Sequence, residues 1–267
     1  MRGTVVGILA GVVVALLVSA CGPGGASRPA SIGTAPPPVL TSQTPVRDEG
    51  TEPGSSPSPA AKPSSHKPSS RPSSPTTYAT YGVTYRIAPG GSTVVGPAGG
   101  TLRRYQVAVQ AGLSESVGSV ASRVEQILGN TGQGWARGGQ WRFQRVSSGP
   151  VDFIVELTTA SDTEAICARF GLHTQGVVSC RGGRNVVINE TRWRTGTDGV
   201  NSGSTKYSPE EYQILVINHE VGHALGHSHA GCPGSGAPAP VMMPQYFGLD
   251  GCVPNIWPYT ATGEYLN

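Results

Sequence analysis

Apolar and polar positions alternate from Arg104 to Gln110, with Tyr105, Val107 and Val109 on one side, the period of a β-strand. The period then changes. From Glu115 to Leu128 the apolar residues Val117, Val120, Val124, Ile127 and Leu128 recur at three- and four-residue steps, which predicts a surface helix capped by Ser114 and stopped at Gly129-Asn130. Trp141 to Val146 and Val151 to Leu157 read as two strands joined by the turn-rich Ser147-Ser148-Gly149-Pro150, and short strands follow at Gly176 to Cys180 and Asn185 to Asn189. The last helix is the best specified. Ser208 can cap it, Pro209 suits the first helical position, and Glu211 completes a capping box, with the body running to about Leu225. Ile214, Ile217, Val221, Ala224 and Leu225 form its expected buried stripe; Tyr212, Val216, His219 and His223 line an adjacent face. A strand, a long helix, several strands and a final helix predict an α+β domain.

Upstream the pattern is different. Met1-Arg2 precedes an apolar run from Val5 to Val18 and then Ser19-Ala20-Cys21, the three-part layout of a secretory signal. The small residues before Cys21 resemble a bacterial lipobox, which implies residues 1–21 as a lipoprotein signal and Cys21 as a lipidated membrane anchor; the alternative is an ordinary signal and a secreted protein. Residues 22–77 hold 13 of the 23 prolines and no aromatic residue, with repeated Pro-Ser units such as Pro63-Ser64 and Pro68-Ser69. Such a stretch cannot bury enough apolar surface to offset its ordering entropy, so it reads as an extended, disordered tether reaching at most about 170 Å. Residues 78–267 carry all four Trp, all nine Tyr and all four Phe, and form the expected folded domain.

Charge narrows the function. The net charge is +3, but residues 78–267 balance 13 basic against 13 acidic side chains, which argues against a nucleic-acid-binding surface. Four cysteines remain in that segment, Cys167, Cys180, Cys232 and Cys252, and an even number in an exported domain predicts two disulfides. Three pairings are open; sequential pairing is preferred because it closes short loops, each stabilising by roughly 3 kcal/mol.

The candidate chemistry lies on the last helix, where residues 219–229 read HEVGHALGHSH and contain four of the six histidines. His219 and His223, four apart on one helical face, can share a metal ion, and Glu220 beside the first is placed to accept a proton from a zinc-bound water rather than to bind zinc. Gly226 can take a positive φ and reverse the chain, bringing His229 to a third ligand position and leaving a fourth for water. His227 lies between the pattern positions and reads as a supporting or solvent-facing residue.

This motif, followed by Val241-Met242-Met243-Pro244-Gln245-Tyr246, resembles the metzincin zinc metallopeptidases and, among them, the matrixins. The resemblance implies a zincin-like single catalytic domain with a small mixed sheet, a backing helix and an active-site helix. It implies one catalytic Zn²⁺, Met242 in the Met-turn, and Pro244, Gln245 and Tyr246 in the wall of the pocket for the residue after the cleaved bond. A peptide or protein substrate would lie along an edge strand, for which Val186, Val187 and Ile188 are the candidates. No cysteine switch or calcium loops are evident, and the stretch between His229 and Met242 is long. Over residues 102–260 the Trp141-Arg142-Phe143 strand, Cys167 and Cys180, Asn185 to Trp193, and Asn255-Ile256-Trp257-Pro258 also resemble a family of exported bacterial domains without an assigned function. A competing reading makes Cys232 a thiolate ligand, which would close the zinc site and leave a binding or structural module.

Overall fold

A computed structural model describes residues 76–197 and 205–267. The signal segment, Cys21 and nearly all of the tether therefore lie outside the described residues. Among the described residues no helix is long and apolar enough to cross a membrane.

The alternating stretch around Tyr105 becomes β4 (Thr101–Gln110), the strand on which the sheet is built. Before it come β1 (Thr77–Thr80), β2 (Val83–Ile87) and β3 (Val94–Val95). After it come α1 (Val117–Leu128), β5 (Trp141–Arg145), β6 (Phe153–Thr158), α2 (Ala160–Ala168), β7 (Cys180–Gly182), β8 (Asn185–Asn189), α3 (Glu190–Thr195) and α4 (Pro209–Ala224). The sheet is mixed and runs β1-β2-β4-β6-β8-β7, so the domain is α+β, as expected. β4, β6 and β8 are parallel, whereas β1, β2 and β7 pair antiparallel with their neighbours.

Both faces of the sheet are covered. Tyr105, Val107 and Val109 meet Phe153, Val155, Val186 and Ile188 under α1 and α4, in the larger core. The opposite side chains, including Ala108 and Val187, meet Tyr85 and Ile166 on the α2 side. Burial on both faces explains why Tyr105–Val109 are buried without alternation.

Several boundaries differ from those the sequence predicts. The first helix is capped at Ser116, not Ser114, because the Arg86 guanidinium donates to the carbonyls of Leu113 (3.0 Å) and Glu115 (3.1 Å) and holds that stretch as a loop. β5 and β6 do not pair with each other; they take opposite edges of β4, with Arg145 and Phe153 both in register with Tyr105. Residues 176–179 are turn rather than strand, with Gly176 at φ +65° and the Asn189 amide donating to its carbonyl at 2.8 Å. The hairpin β1–β2 and the short helices α2 and α3 had no clear periodicity to reveal them. The disulfides are Cys167–Cys180, tying α2 to β7, and Cys232–Cys252, the preferred sequential pairing.

Candidate metal centre

α4 starts where its capping residues dictate: the Ser208 amide donates to Glu211 at 2.9 Å and the Glu211 amide to the Ser208 hydroxyl at 3.2 Å. Arg123 of α1 holds the first turn through Gln213 (2.9 Å) and the Glu210 carbonyl. The stripe expected on this helix is only part of what is buried. Ile217, Val221 and Leu225 are buried, Ile214 and Ala224 are half-buried, and Leu215, Asn218 and Gly222 are enclosed as well, because α4 is packed against the sheet, α1 and the Val241–Met242 segment together.

Gly222 shows how close that packing is. A Cβ there would stand 2.4 Å from Met242 Sδ and 2.9 Å from the Trp135 ring, so only glycine lets Met242 come this close to the helix. Gly226, at φ +100°, ends the helix and turns the chain back toward His229. The ligand atoms of His219, His223 and His229 come within 4.8 Å of one another, and the Nε2 atoms of His219 and His229 are 3.3 Å apart. Two nitrogens about 2.1 Å from one tetrahedral ion stand about 3.4 Å apart, close to the His219–His229 separation, so the triad could bind a metal.

Each helical imidazole is aimed by the main chain. His219 Nδ1 lies 2.8 Å from the Val241 carbonyl and His223 Nδ1 2.8 Å from the His227 carbonyl, contacts that place the proton on Nδ1 and leave Nε2 as the donor pair for a metal. Burial lowers the pKa of His219 to about 3, with the neighbouring His223 and His229 adding to the effect; burial also lowers that of His223. Both rings are therefore neutral at pH 7, in the form that binds metal.

Glu220 is 6% exposed and borders the cleft, yet no side chain or backbone group among the described residues donates to its carboxyl. Burial alone raises its pKa to about 8. The cleft itself has a volume of about 760 Å³, with Pro244, Gln245 and Tyr246 on one wall. Gln245 is more frame than wall: its side chain accepts from the Tyr207 hydroxyl (2.6 Å) and the Asn255 amide (3.1 Å), and donates to the Asn255 and Pro240 carbonyls. The Tyr246 hydroxyl is buried without a partner among the described residues.

Residues 71–259 match the model of the family described as "Protein of unknown function (DUF3152)". The chain belongs to this family. No curated protein matches it. Among solved structures it is similar to "Structure of myroilysin", at 18% identity and a TM-score of 0.28, over 51% of this chain and 55% of that one. The chain thus spans about half the length of that structure, and a likeness so slight says nothing of its activity.

In this DUF3152 domain two sequence expectations need correction. Val186, Val187 and Ile188 are fully buried in an inner strand, because β8 pairs with β6 on one side and β7 on the other. The edge beside the cleft is β7, too short and too polar to register as a strand pattern. Cys232 is bonded to Cys252 and offers no thiolate to a metal.

Of the other contributors, the sequence points to His227 alone, as a supporting or solvent-facing residue. His227 supports the site through its backbone carbonyl, while its ring stacks on Trp135 at 4.5 Å and meets the Tyr265 hydroxyl at 3.1 Å. Trp135 in turn donates to the Asn218 carbonyl at 2.9 Å, and the Asn218 amide donates to the Ile256 carbonyl at 3.0 Å. A backbone carbonyl has no residue signature, so only the Trp and Asn could have been flagged, as polar groups in an otherwise apolar region.

Proposed function

We propose that this chain is an exported, lipid-anchored zinc endopeptidase of the metzincin kind. The observation that carries the reading is the convergence of three imidazoles beside a buried carboxyl, Glu220, to which no protein group among the described residues donates. Three neutral imidazole nitrogens are a donor set that suits zinc. Zinc held by His219, His223 and His229 would supply Lewis-acid polarisation of the scissile carbonyl and acidify water beside it.

Glu220, whose carboxylate form the charge of a bound zinc would favour, takes the proton of the attacking water at a carboxylate oxygen as the carbon–oxygen bond forms, and returns it to the leaving nitrogen as the carbon–nitrogen bond breaks. Val241 and His227 hold the ligand rings in orientation through their carbonyls. Pro244 and Tyr246 shape the pocket for the residue after the cleaved bond, and β7 offers an extended peptide an edge that is unpaired among the described residues. Residues 1–21 direct export, Cys21 anchors the chain to the outer face of the membrane, and residues 22–77 tether the domain.

The closed-site alternative depended on a Cys232 thiolate, which the Cys232–Cys252 disulfide consumes. The test is zinc content by elemental analysis together with cleavage of a random peptide library, for the wild type and Glu220→Ala. About one zinc per chain is expected in both, and cleavage in the wild type alone. Zinc without cleavage in either would overturn the peptidase, and absence of zinc would overturn the metal site.

A further inference from the structure

An arginine on the rim of the cleft narrows the chemistry of the substrate, given that the domain is a peptidase as proposed. β7 has three residues, and its neighbours fix which way the middle one faces. Cys180 is bonded to Cys167 in the core on the α2 side, and a Cβ on Gly182 would stand 2.1 Å from the Phe170 ring. Successive side chains of a strand alternate, so Arg181 faces the other way, toward α4, and it borders the cleft. Its positive charge reaches His223.

Arg181 is half-buried, its Nε is enclosed without an acceptor, and its guanidinium makes no hydrogen bond or ion pair among the described residues. Arg142 is also half-buried without a partner among the described residues, but it does not border the cleft, and three other arginines are matched. Arg103 pairs with Asp152 at 3.0 Å, Arg145 with Glu125 at 2.9 Å and Arg194 with Glu190 at 3.0 Å. The carboxylates flanking Arg181 in sequence are already taken, Glu164 by the Thr174 hydroxyl at 2.7 Å and by His173, and Glu190 by Arg194. Glu220, the carboxyl group bordering the cleft, forms no ion pair with Arg181. A partly desolvated guanidinium presents a planar fork of donors that matches a carboxylate in geometry and charge.

We propose that Arg181 is a specificity-determining residue that receives a carboxylate of the substrate at the β7 rim of the cleft. The carboxylate is supplied by an Asp or Glu side chain or by a free chain terminus, and the two sources are separable by experiment. Lysine in place of Arg181 keeps the charge but loses the two-pronged fit, so it retains part of the preference.

The test uses the full-length, zinc-loaded chain and paired peptides that differ only in Asp against Asn, Glu against Gln, or a free against an amidated C-terminus. The wild type is expected to favour the carboxylate member by about tenfold to a hundredfold in kcat/KM. In Arg181→Gln that ratio falls to about one, in Arg181→Lys it lies between, and in Arg181→Glu it inverts toward basic peptides. Loss of preference on amidation assigns the terminus; loss on Asp→Asn or Glu→Gln in the peptide assigns the side chain. The same pairs are then bound to the Glu220→Gln chain with and without Arg181→Gln, by fluorescence anisotropy at low and high salt. If the wild type cleaves without a carboxylate preference, or Arg181→Gln keeps the preference, the assignment is overturned and the peptidase reading stands. If nothing is cleaved but carboxylate binding depends on Arg181, the peptidase reading fails and the assignment survives.

Discussion

Of the three buried glutamates among the described residues, Glu190 is paired with Arg194, while Glu156 and Glu220, on opposite sides of the sheet, are buried in opposite ways. Glu156, in β6, has no exposure; Tyr78 donates to it, and Asn185 Nδ2 lies 2.9 and 3.0 Å from its two oxygens. Burial raises its pKa while those donors oppose the rise. Glu220, on the helix side, is nearly as buried but has no donor among the described residues, faces the cleft, and has a pKa raised to about 8 by burial alone. A carboxyl whose hydrogen bonds are satisfied by its own fold joins strands together. One left without partners beside three imidazoles is free to move a proton. The difference is in partners rather than burial, and it separates a structural glutamate from the one proposed as the general base.

Making the same change at both positions should separate them most strongly. Glu220→Gln is expected to lower kcat/KM by at least about a thousandfold at unchanged zinc content, whereas Glu156→Gln stays within about tenfold of wild type, both read by peptide cleavage. Stability should sort the other way. Glu156→Ala leaves Asn185 and Tyr78 without their acceptor and is expected to cost about 1–3 kcal/mol in chemical denaturation, while Glu220→Gln costs nothing or stabilises.

A glycine extends the contrast to packing. Gly222→Ala forces a methyl group between Met242 and Trp135 and should cost about 1–3 kcal/mol while weakening metal binding, checked by denaturation and zinc competition. Gly112, with open space around it, sits at φ +95°, so its replacement strains the backbone but leaves zinc affinity unchanged.

The pH dependence of the metal-free protein carries the contrast into titration. Glu220 has a folded pKa above its unfolded value near 4.5, so its ionisation removes stability as pH rises from there through about 8. His219, lowered to about 3, acts in the opposite sense: the fold is stabilised above the unfolded value near 6.5, and that contribution is lost as pH falls toward 3. Denaturation midpoints across pH should therefore lose their alkaline decline in Glu220→Gln and their acid decline in His219→Gln.

Sequence patterns located α4, its capping box, the histidine triad, Glu220 and both disulfides, because each depends on residue types at short, fixed spacings. They misplaced what depends on long-range pairing. Apolar Val186–Ile188 has the look of a strand but nothing local says whether a strand is at the edge or inside, and the strand expected at Gly176 to Cys180 overlaps the three-residue β7 that does form the edge only at Cys180. Arg181 was missed for that reason: its significance comes from the alternation of β7 and the absence, among the described residues, of an acid paired with it. The Arg86 clamp on the loop before α1 likewise moved a helix start that Ser114 alone would have set.

If one metal ion at His219, His223 and His229 works with Glu220 to hydrolyse peptides, activity must follow the metal. Stripping the purified chain of metal and titrating zinc back while following peptide cleavage puts that dependence to the proof. Activity should disappear on stripping, return in proportion to added zinc, and level off at about one equivalent per chain. Cleavage that persists in the stripped protein, or zinc that binds stoichiometrically without restoring any, would contradict it.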